Sequence, residues 1–257
     1  MREASTAPTS SERGWGAAGL LAGLGLWELL AWRAGPLLLA SPHAVAATLW
    51  AERSRLAEAT GQTALGALGG LLLATALGLA IAIGSWASRS LHLALLPWTT
   101  FLQVVPIVAV APLLVVWLGY GVGVAVTTSV IAAFYPVYSA AVTGLRSPSP
   151  DLVDLLRLYG APRWRELTDL RLPAALPALF SGLRTAGGLA VIGGIIGEFV
   201  GSNGLPPTLG QTIVYAARSA RTDLCFAAIA CSGVLALVVQ LVIRTAERRL
   251  VGRWFGS

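Results

Sequence analysis

The 257-residue chain is 56% apolar, carries 29 further glycines, and is only 12% charged, against about 25% charged in an ordinary soluble domain. That composition would coat a soluble surface with hydrocarbon, so the solvent is read as lipid, and the net charge of +6 as a loop orientation label rather than nucleic-acid affinity. All eighteen basic residues are Arg and none is Lys, which excludes a G-x-x-x-x-G-K-[ST] phosphate loop and a Lys Schiff base, so this polypeptide is not itself a standard P-loop ATPase.

Residues 1–14 form a polar N-terminal tail, and the first apolar run follows with Trp15, Trp27 and Trp32 near its ends. Aromatic residues at both edges suit an interfacial belt and favour an uncleaved span over a signal peptide. A helix crossing about 30 Å of hydrocarbon needs about 20 apolar residues, and such runs fall at roughly 15–33, 64–87, 91–118, 122–143, 174–200 and 224–243. Between the first two, residues 34–62 are too interrupted to span; Val45, Leu49 and Leu56 with charges between them predict an amphipathic helix on the surface. Six spans over 15–250, with both ends inside, place twelve Arg on the cytoplasmic side and five opposite, with Arg184 inside span five. Inverting the topology reverses that bias. Residues 251–257 form the C-terminal tail.

The third run is interrupted by Pro97, Pro106 and Pro112, each of which removes a backbone donor. Lipid cannot satisfy the freed carbonyls. Two readings stand: a kinked packing helix, or a broken helix lining a pathway with Thr99, Thr100 and Gln103 as its polar groups. Span four is unusually polar, with Thr127, Thr128, Ser129, Tyr135, Tyr138, Ser139 and Thr143. Helix–helix hydrogen bonds explain most of these, and a solute pathway accounts for Ser129 and Tyr135 as well. Glycines four apart put small residues on one face, and the run Gly193, Gly197, Gly201 in span five predicts the tightest helix contact.

Three charges fall within apolar runs. Glu198, near the outer end of span five, reads as a gating or pathway group or as a carboxylate solvated at the interface. Arg184 reads as snorkelling to the cytoplasmic face, and Glu28 as packed or interfacial. His43 and His92 are isolated, Cys225 and Cys231 are six apart, and no H-E-x-x-H, C-x-x-C or G-x-S-x-G string occurs, so neither a metal site nor a catalytic constellation is expected.

The most informative segment is the loop 145–173 between spans four and five, "LRSPSPDLVDLLRLYGAPRWRELTDLRLP". Ser147 to Pro150 stop one helix, and Asp151 is a plausible N-cap for the next. Leu152, Leu155, Leu156 and Tyr159 then recur at helical spacing; Gly160 ends that helix, and Pro162 opens a second that runs to Pro173. A short amphipathic helix, a glycine hinge and a helix fused to a span form a lever that offers an apolar ridge to a cytoplasmic partner.

This loop resembles the E-A-A loop of ABC importer permeases, in which E-A-A is followed by three residues, G, nine residues and I-x-L-P. Asp154, Leu155 and Leu156 stand at the E-A-A positions, Gly160 at the glycine, and Leu170, Leu172 and Pro173 at the closing positions. The spacing agrees throughout, while the three opening residues differ. "LLLASPHAVAATL", "LPWTTFLQVVPIVAVAPLLVVWLGYG" and "LPAALPALFSGLRTAGGLAVIGGIIGEFVG" are similar to the branch of permeases for nitrate, sulfonates and taurine, which also handles pyrimidine precursors and riboflavin. The likeness covers about residues 38–250 and departs at "GSNGLPPTLGQTIVYAA", after span five.

The resemblance implies an all-α membrane protein of the type I ABC importer fold in a bacterial cytoplasmic (inner) membrane. It implies a homodimer, because one such bundle is half a pathway. Two ATP-binding cassette subunits would carry ATP and Mg, this chain holding no cofactor and catalysing no reaction, and an extracytoplasmic substrate-binding protein would dock outside. Asp151, Asp154, Leu155, Leu156, Tyr159, Gly160, Ala161, Arg163, Leu170, Leu172 and Pro173 would form the coupling segment, while the pathway candidates Thr99, Thr100, Gln103, Ser129, Tyr135 and Glu198 rest on the residue reading above. The implied solute is a small anion such as nitrate, a sulfonate or taurine, with a vitamin or pyrimidine precursor as the alternative. An ion-coupled secondary transporter is the competing class, for which the sequence offers one broken run and no convincing repeat.

Overall fold

The computed structural model describes residues 10–202 and 207–255, with side chains at 15, 18–202 and 207–251. Most of the expected N-terminal tail, the end of the C-terminal tail, and the side chains of Arg2, Arg13 and Arg253 lie outside the described residues. Every regular element among those described is a helix: α1 (Ser10–Ala34), α2 (Pro42–Ala51), α3 (Arg53–Ala87), α4 (Arg89–Val104), α5 (Ile107–Leu118), α6 (Val122–Leu145), α7 (Pro150–Leu158), α8 (Arg163–Arg165), α9 (Leu172–Gly201), α10 (Leu209–Arg218) and α11 (Thr222–Phe255). A π-helical stretch, Glu166–Arg171, joins α8 to α9.

By length and composition α3, α6, the continuous run Arg163–Gly201 and α11 can each cross a membrane. The helices α4 and α5 make a further apolar pair bent by 101° at Val105–Pro106. The proline-rich third run is therefore a sharp elbow rather than a gently kinked helix. Pro106 takes the N-cap position of α5 in extended conformation, where its missing N–H breaks no helical bond.

α3, α6 and α9 form the centre of the bundle, joined by α11. Their shared core is built from Ala67, Leu71 and Ala74 of α3, Ala133 and Val137 of α6, Ala186, Ala190 and Val191 of α9, and Leu235 and Val239 of α11. Half of these side chains are Ala, so the backbones approach closely. A Cβ at Gly193 would lie 2.7 Å from the Thr128 carbonyl oxygen, one at Gly197 2.8 Å from Ala125 Cα, and one at Gly201 2.7 Å from Val124 Cβ. The glycine run of span five is thus the seam between α9 and α6. By contrast, a Cβ at Gly19, Gly23, Gly119 or Gly123 would meet nothing within 4 Å.

The 34–62 segment departs from the expected surface helix. α2 ends at Ala51 with Glu52 as its cap, and α3 begins at Arg53 and runs straight on into the second span. Val45 and Leu56 are buried in a core with Leu209 and Ala216 of α10 and Leu224, Ala227 and Ala228 of α11. The apolar face that would have met lipid is covered by α10 and the start of α11. α1 flanks this region: the Trp27 indole N–H donates to the Ala40 carbonyl at 3.0 Å, and its ring lies 5.7 Å from that of Phe226. Glu28 lies 3.0 Å from His43 Nδ1, so it pairs across to α2.

Candidate functional site

A cavity of about 680 Å³ opens between the α4–α5 elbow and the central helices. Its polar lining is Gln103 from the elbow, Tyr135, Ser139 and Thr143 from α6, and Ser181 and Thr185 from α9. The four-residue steps along α6 and α9 put each set on one helix face. Pro136 and Gly182 allow the two helices to meet behind them: a Cβ on Gly182 would sit 2.8 Å from the Pro136 carbonyl oxygen.

Of the six expected pathway residues, Gln103 and Tyr135 lie on this cavity. Thr99 is buried and donates to the Leu96 carbonyl at 3.0 Å; Thr100, exposed, donates to the same carbonyl at 2.9 Å. Ser129 is fully buried and donates to the Ala190 carbonyl at 2.8 Å, so its hydroxyl is committed to the α6–α9 contact.

Glu198 lies elsewhere, under α10. Its carboxylate is buried rather than solvated at an interface, and Oε2 accepts the Thr63 hydroxyl at 3.0 Å and the Gly210 N–H at 2.8 Å. The Thr63 oxygen in turn accepts the Leu209 N–H at 3.0 Å, and the Thr208 hydroxyl accepts the Gln211 N–H at 3.3 Å. Three first-turn donors of α10 are thereby satisfied, with a carboxylate at the positive end of the helix dipole. Glu198 anchors α10 to α3 and α9. The Arg184 guanidinium is paired with the Glu247 carboxylate of α11.

A second network on this end of the bundle joins Arg221 to Glu52 at 3.2 Å and to Asp223 at 3.1 Å, while the Thr48 hydroxyl donates to Asp223 at 2.8 Å. The hydrogen bond to Asp223, then that to Glu52, pushes Arg221 further above its ordinary value. It stays charged while pinning α2 to the start of α11.

On the opposite side, the 145–173 loop is a folded device. The N-cap of α7 is Ser149 in extended conformation, followed by Pro150, not Asp151. Pro is preorganised for the first helical position, which moves Asp151 into the first turn, where its charge still suits the dipole. Gly160 has φ +70°. Its N–H bonds the Arg157 carbonyl at 2.9 Å, and the Ala161 N–H bonds the Leu156 carbonyl at 3.0 Å. This is the Schellman arrangement, in which the left-handed residue is glycine because a Cβ is strained there. Asp151, Asp154, Leu155, Tyr159 and Arg163 are exposed, Leu156, Ala161, Leu170, Leu172 and Pro173 are half-buried, and Val153 is buried. Leu158 and Tyr159 are 85% and 83% exposed, with Trp164 nearby at 60%.

The sequence reading missed the buried clamp behind this ridge. Glu166, 5% exposed, accepts from the Arg171 Nε–H at 2.7 Å and pairs with Arg171 Nη2 at 2.7 Å, while Arg157 of α7 lies 3.7 Å away. Arg171 also donates to the Leu145 carbonyl at the end of α6, at 2.6 Å. The Arg171 and Arg163 guanidinium carbons lie 5.4 and 6.0 Å from the Trp86 ring centroid at the end of α3. Glu166 and Arg171 are five residues apart, the repeat of the π-helical stretch they bound. One clamp therefore joins α7, the ends of α3 and α6, and the entrance to α9.

A sequence profile for the binding-protein-dependent transport system inner membrane component matches residues 74–252. The chain belongs to that family. It is 39% identical over 189 residues to a "Probable ABC transporter permease protein" of Haemophilus influenzae, covering 74% of this chain and 76% of the relative. Identity is 35% over 238 residues to the riboflavin transport system permease protein RibX of Chloroflexus aurantiacus, covering 89% and 87%. With the taurine transport system permease protein TauC of Escherichia coli it is 28% over 187 residues, covering 73% and 66%. The chain is thus a multi-pass membrane protein of the ABC permease class, whose members work with ATPase and substrate-binding partners and are transport subunits rather than enzymes.

Proposed function

We propose that this chain is the permease subunit of an ATP-driven importer, with α1 as its first span and the α4–α5 pair as its third, giving six spans over 15–250. Both ends lie on the cytoplasmic side of a bacterial inner membrane, flanked by the tails 1–14 and 251–257. Two copies face each other across the α4–α5–α6–α9 cavity, and each supplies half of the pathway. Two ATP-binding cassette subunits carry ATP and Mg and dock on the 145–173 loops, and a substrate-binding protein delivers solute at the α2–α10 face. The permease itself catalyses no reaction.

The observation that carries this reading is the continuity from ridge to cavity. The apolar ridge of Leu155, Leu158 and Tyr159 is exposed where a partner could cover it. Behind it, the Glu166–Arg171 clamp ties α7 to the ends of α6 and α9, the same two helices that carry the cavity hydroxyls. Closure of the ATPase dimer moves α7; the clamp passes that motion to α6 and α9, and the cavity changes the side to which it opens. Pro173 and Gly160 belong to the coupling segment as the start of the driven helix and the fixed end of the driving one. Purification of the permease with its ATPase subunits tests this: a stable complex lost on Leu158→Asp/Tyr159→Asp substitution is expected, and binding indifferent to that change would sink the reading.

A further inference from the structure

The polar lining of the cavity differs from the other hydroxyls of the bundle. Thr60, Thr75, Thr100, Thr127, Thr128, Ser232 and Thr245 each donate to a carbonyl of their own helix, and Ser129 to a carbonyl of the next. Among the described residues, Gln103, Tyr135, Ser139, Thr143, Ser181 and Thr185 have no such side-chain partner, and all six face one cavity. Pro136 also leaves the Ala132 carbonyl without its helical donor, and Ala132 lines the same space. Donors and acceptors are therefore presented together and uncommitted.

No charged side chain lines this cavity among the described residues. The cation nearest in sequence, Arg184, sits beside Thr185 but is taken by Glu247 of α11. A permanent anion entering this space would leave water for neutral groups with no counter-charge, whereas a neutral solute loses no ionic solvation and gains hydrogen bonds. The volume, about 680 Å³ from one copy alone, lies within the range of sites that enclose a molecule of vitamin size.

Resting on the permease reading above, we infer that the transported solute is an uncharged, multiply hydrogen-bonding molecule of heterocycle size, and not an inorganic anion or alkanesulfonate. Tyr135 supplies an aromatic face as well as a hydroxyl, and the ladders Tyr135–Ser139–Thr143 and Ser181–Thr185 offer successive partners along the two helices.

The test uses proteoliposomes holding the permease, its ATPase subunits and its cognate binding protein. MgATP-driven uptake of riboflavin and a neutral aminopyrimidine is compared with that of nitrate, taurine and an alkanesulfonate. Uptake confined to the neutral solutes is the expected result, with Thr185→Asp and Thr185→Arg lowering it by similar factors, at least threefold each. Uptake confined to nitrate, the sulfonate or taurine overturns the inference while leaving the importer reading intact. So does a transport rate that rises with Thr185→Arg and falls with Thr185→Asp. If no solute is moved with ATP and no ATPase subunit co-purifies, the importer reading itself fails, and this inference with it.

Discussion

Gly160→Val perturbs one angle at the end of the coupling helix. At φ +70° an L-residue costs roughly 1–2 kcal/mol, and a β-branched side chain falls at the upper end. A Cβ at this position meets nothing within 4 Å, so the penalty is conformational and the packing of the bundle is untouched. If the chain escapes the strain, it gives up the bonds from Gly160 N–H to Arg157 and from Ala161 N–H to Leu156, each contributing about 1 kcal/mol. The strain lowers the ratio of docking-competent to relaxed ends of α7 by about 5- to 30-fold, at about 1.4 kcal/mol per tenfold. The assay is the affinity of nanodisc-embedded permease for its ATPase subunit. Its Kd should rise for Gly160→Val, by at most that factor, and by much less for Gly160→Asn, because Asn tolerates the left-handed region. Thermal stability of the bundle should fall by no more than that penalty. Equal affinity of Gly160→Val and the parent, or equal loss for Val and Asn, would refute the reasoning.

Three further outcomes follow from the packing. Glu198→Ala should loosen α10, since the Thr63 hydroxyl and the Gly210 N–H lose a buried acceptor at about 1–3 kcal/mol each; a lowered melting temperature and faster amide exchange in 209–212 are expected, and unchanged protection there would contradict the anchoring role. Gly193→Val should prevent close approach of α6 and α9, because its Cβ would lie 2.7 Å from a backbone oxygen; little folded protein is expected by size exclusion, and normal yield would refute the seam. Arg221→Ala removes a part-exposed guanidinium joined to Glu52 and Asp223, so a loss of only about 1 kcal/mol is expected in thermal unfolding, and a larger loss would mean that this network is more tightly closed than its exposure indicates.

Four of the spans, and the bent pair of the third run, were legible because about 20 apolar residues cannot be disguised, and Pro106 announced the elbow by the donor it lacks. Gly160 was equally legible, since a glycine after a short amphipathic run is the natural left-handed stop. What sequence could not show was partnership. Glu198 looked like an interfacial carboxylate because the residue that holds it, Thr63, lies 135 positions away. The Glu166–Arg171 clamp was hidden by its five-residue spacing, which an α-helical reading places on different faces and a π-helical stretch brings together. Ser129 and Ser139 are both hydroxyls of one helix, yet one faces Ala190 and the other the cavity. The i, i+4 steps of Tyr135, Ser139 and Thr143, and of Ser181 and Thr185, were the available signal for the lining. The α9 pair was missed because it sits among apolar residues that read simply as a span.

The central claim is that motion of α7 reaches the cavity through the buried clamp. It is tested most directly by the ratio of solute imported to ATP hydrolysed in reconstituted complexes carrying Glu166→Gln/Arg171→Met, a double variant that leaves no unpaired buried charge. With normal assembly, hydrolysis should continue while uptake falls, so that the ratio drops at least fivefold. An unchanged ratio in a correctly assembled complex would show that force reaches α6 and α9 by another route.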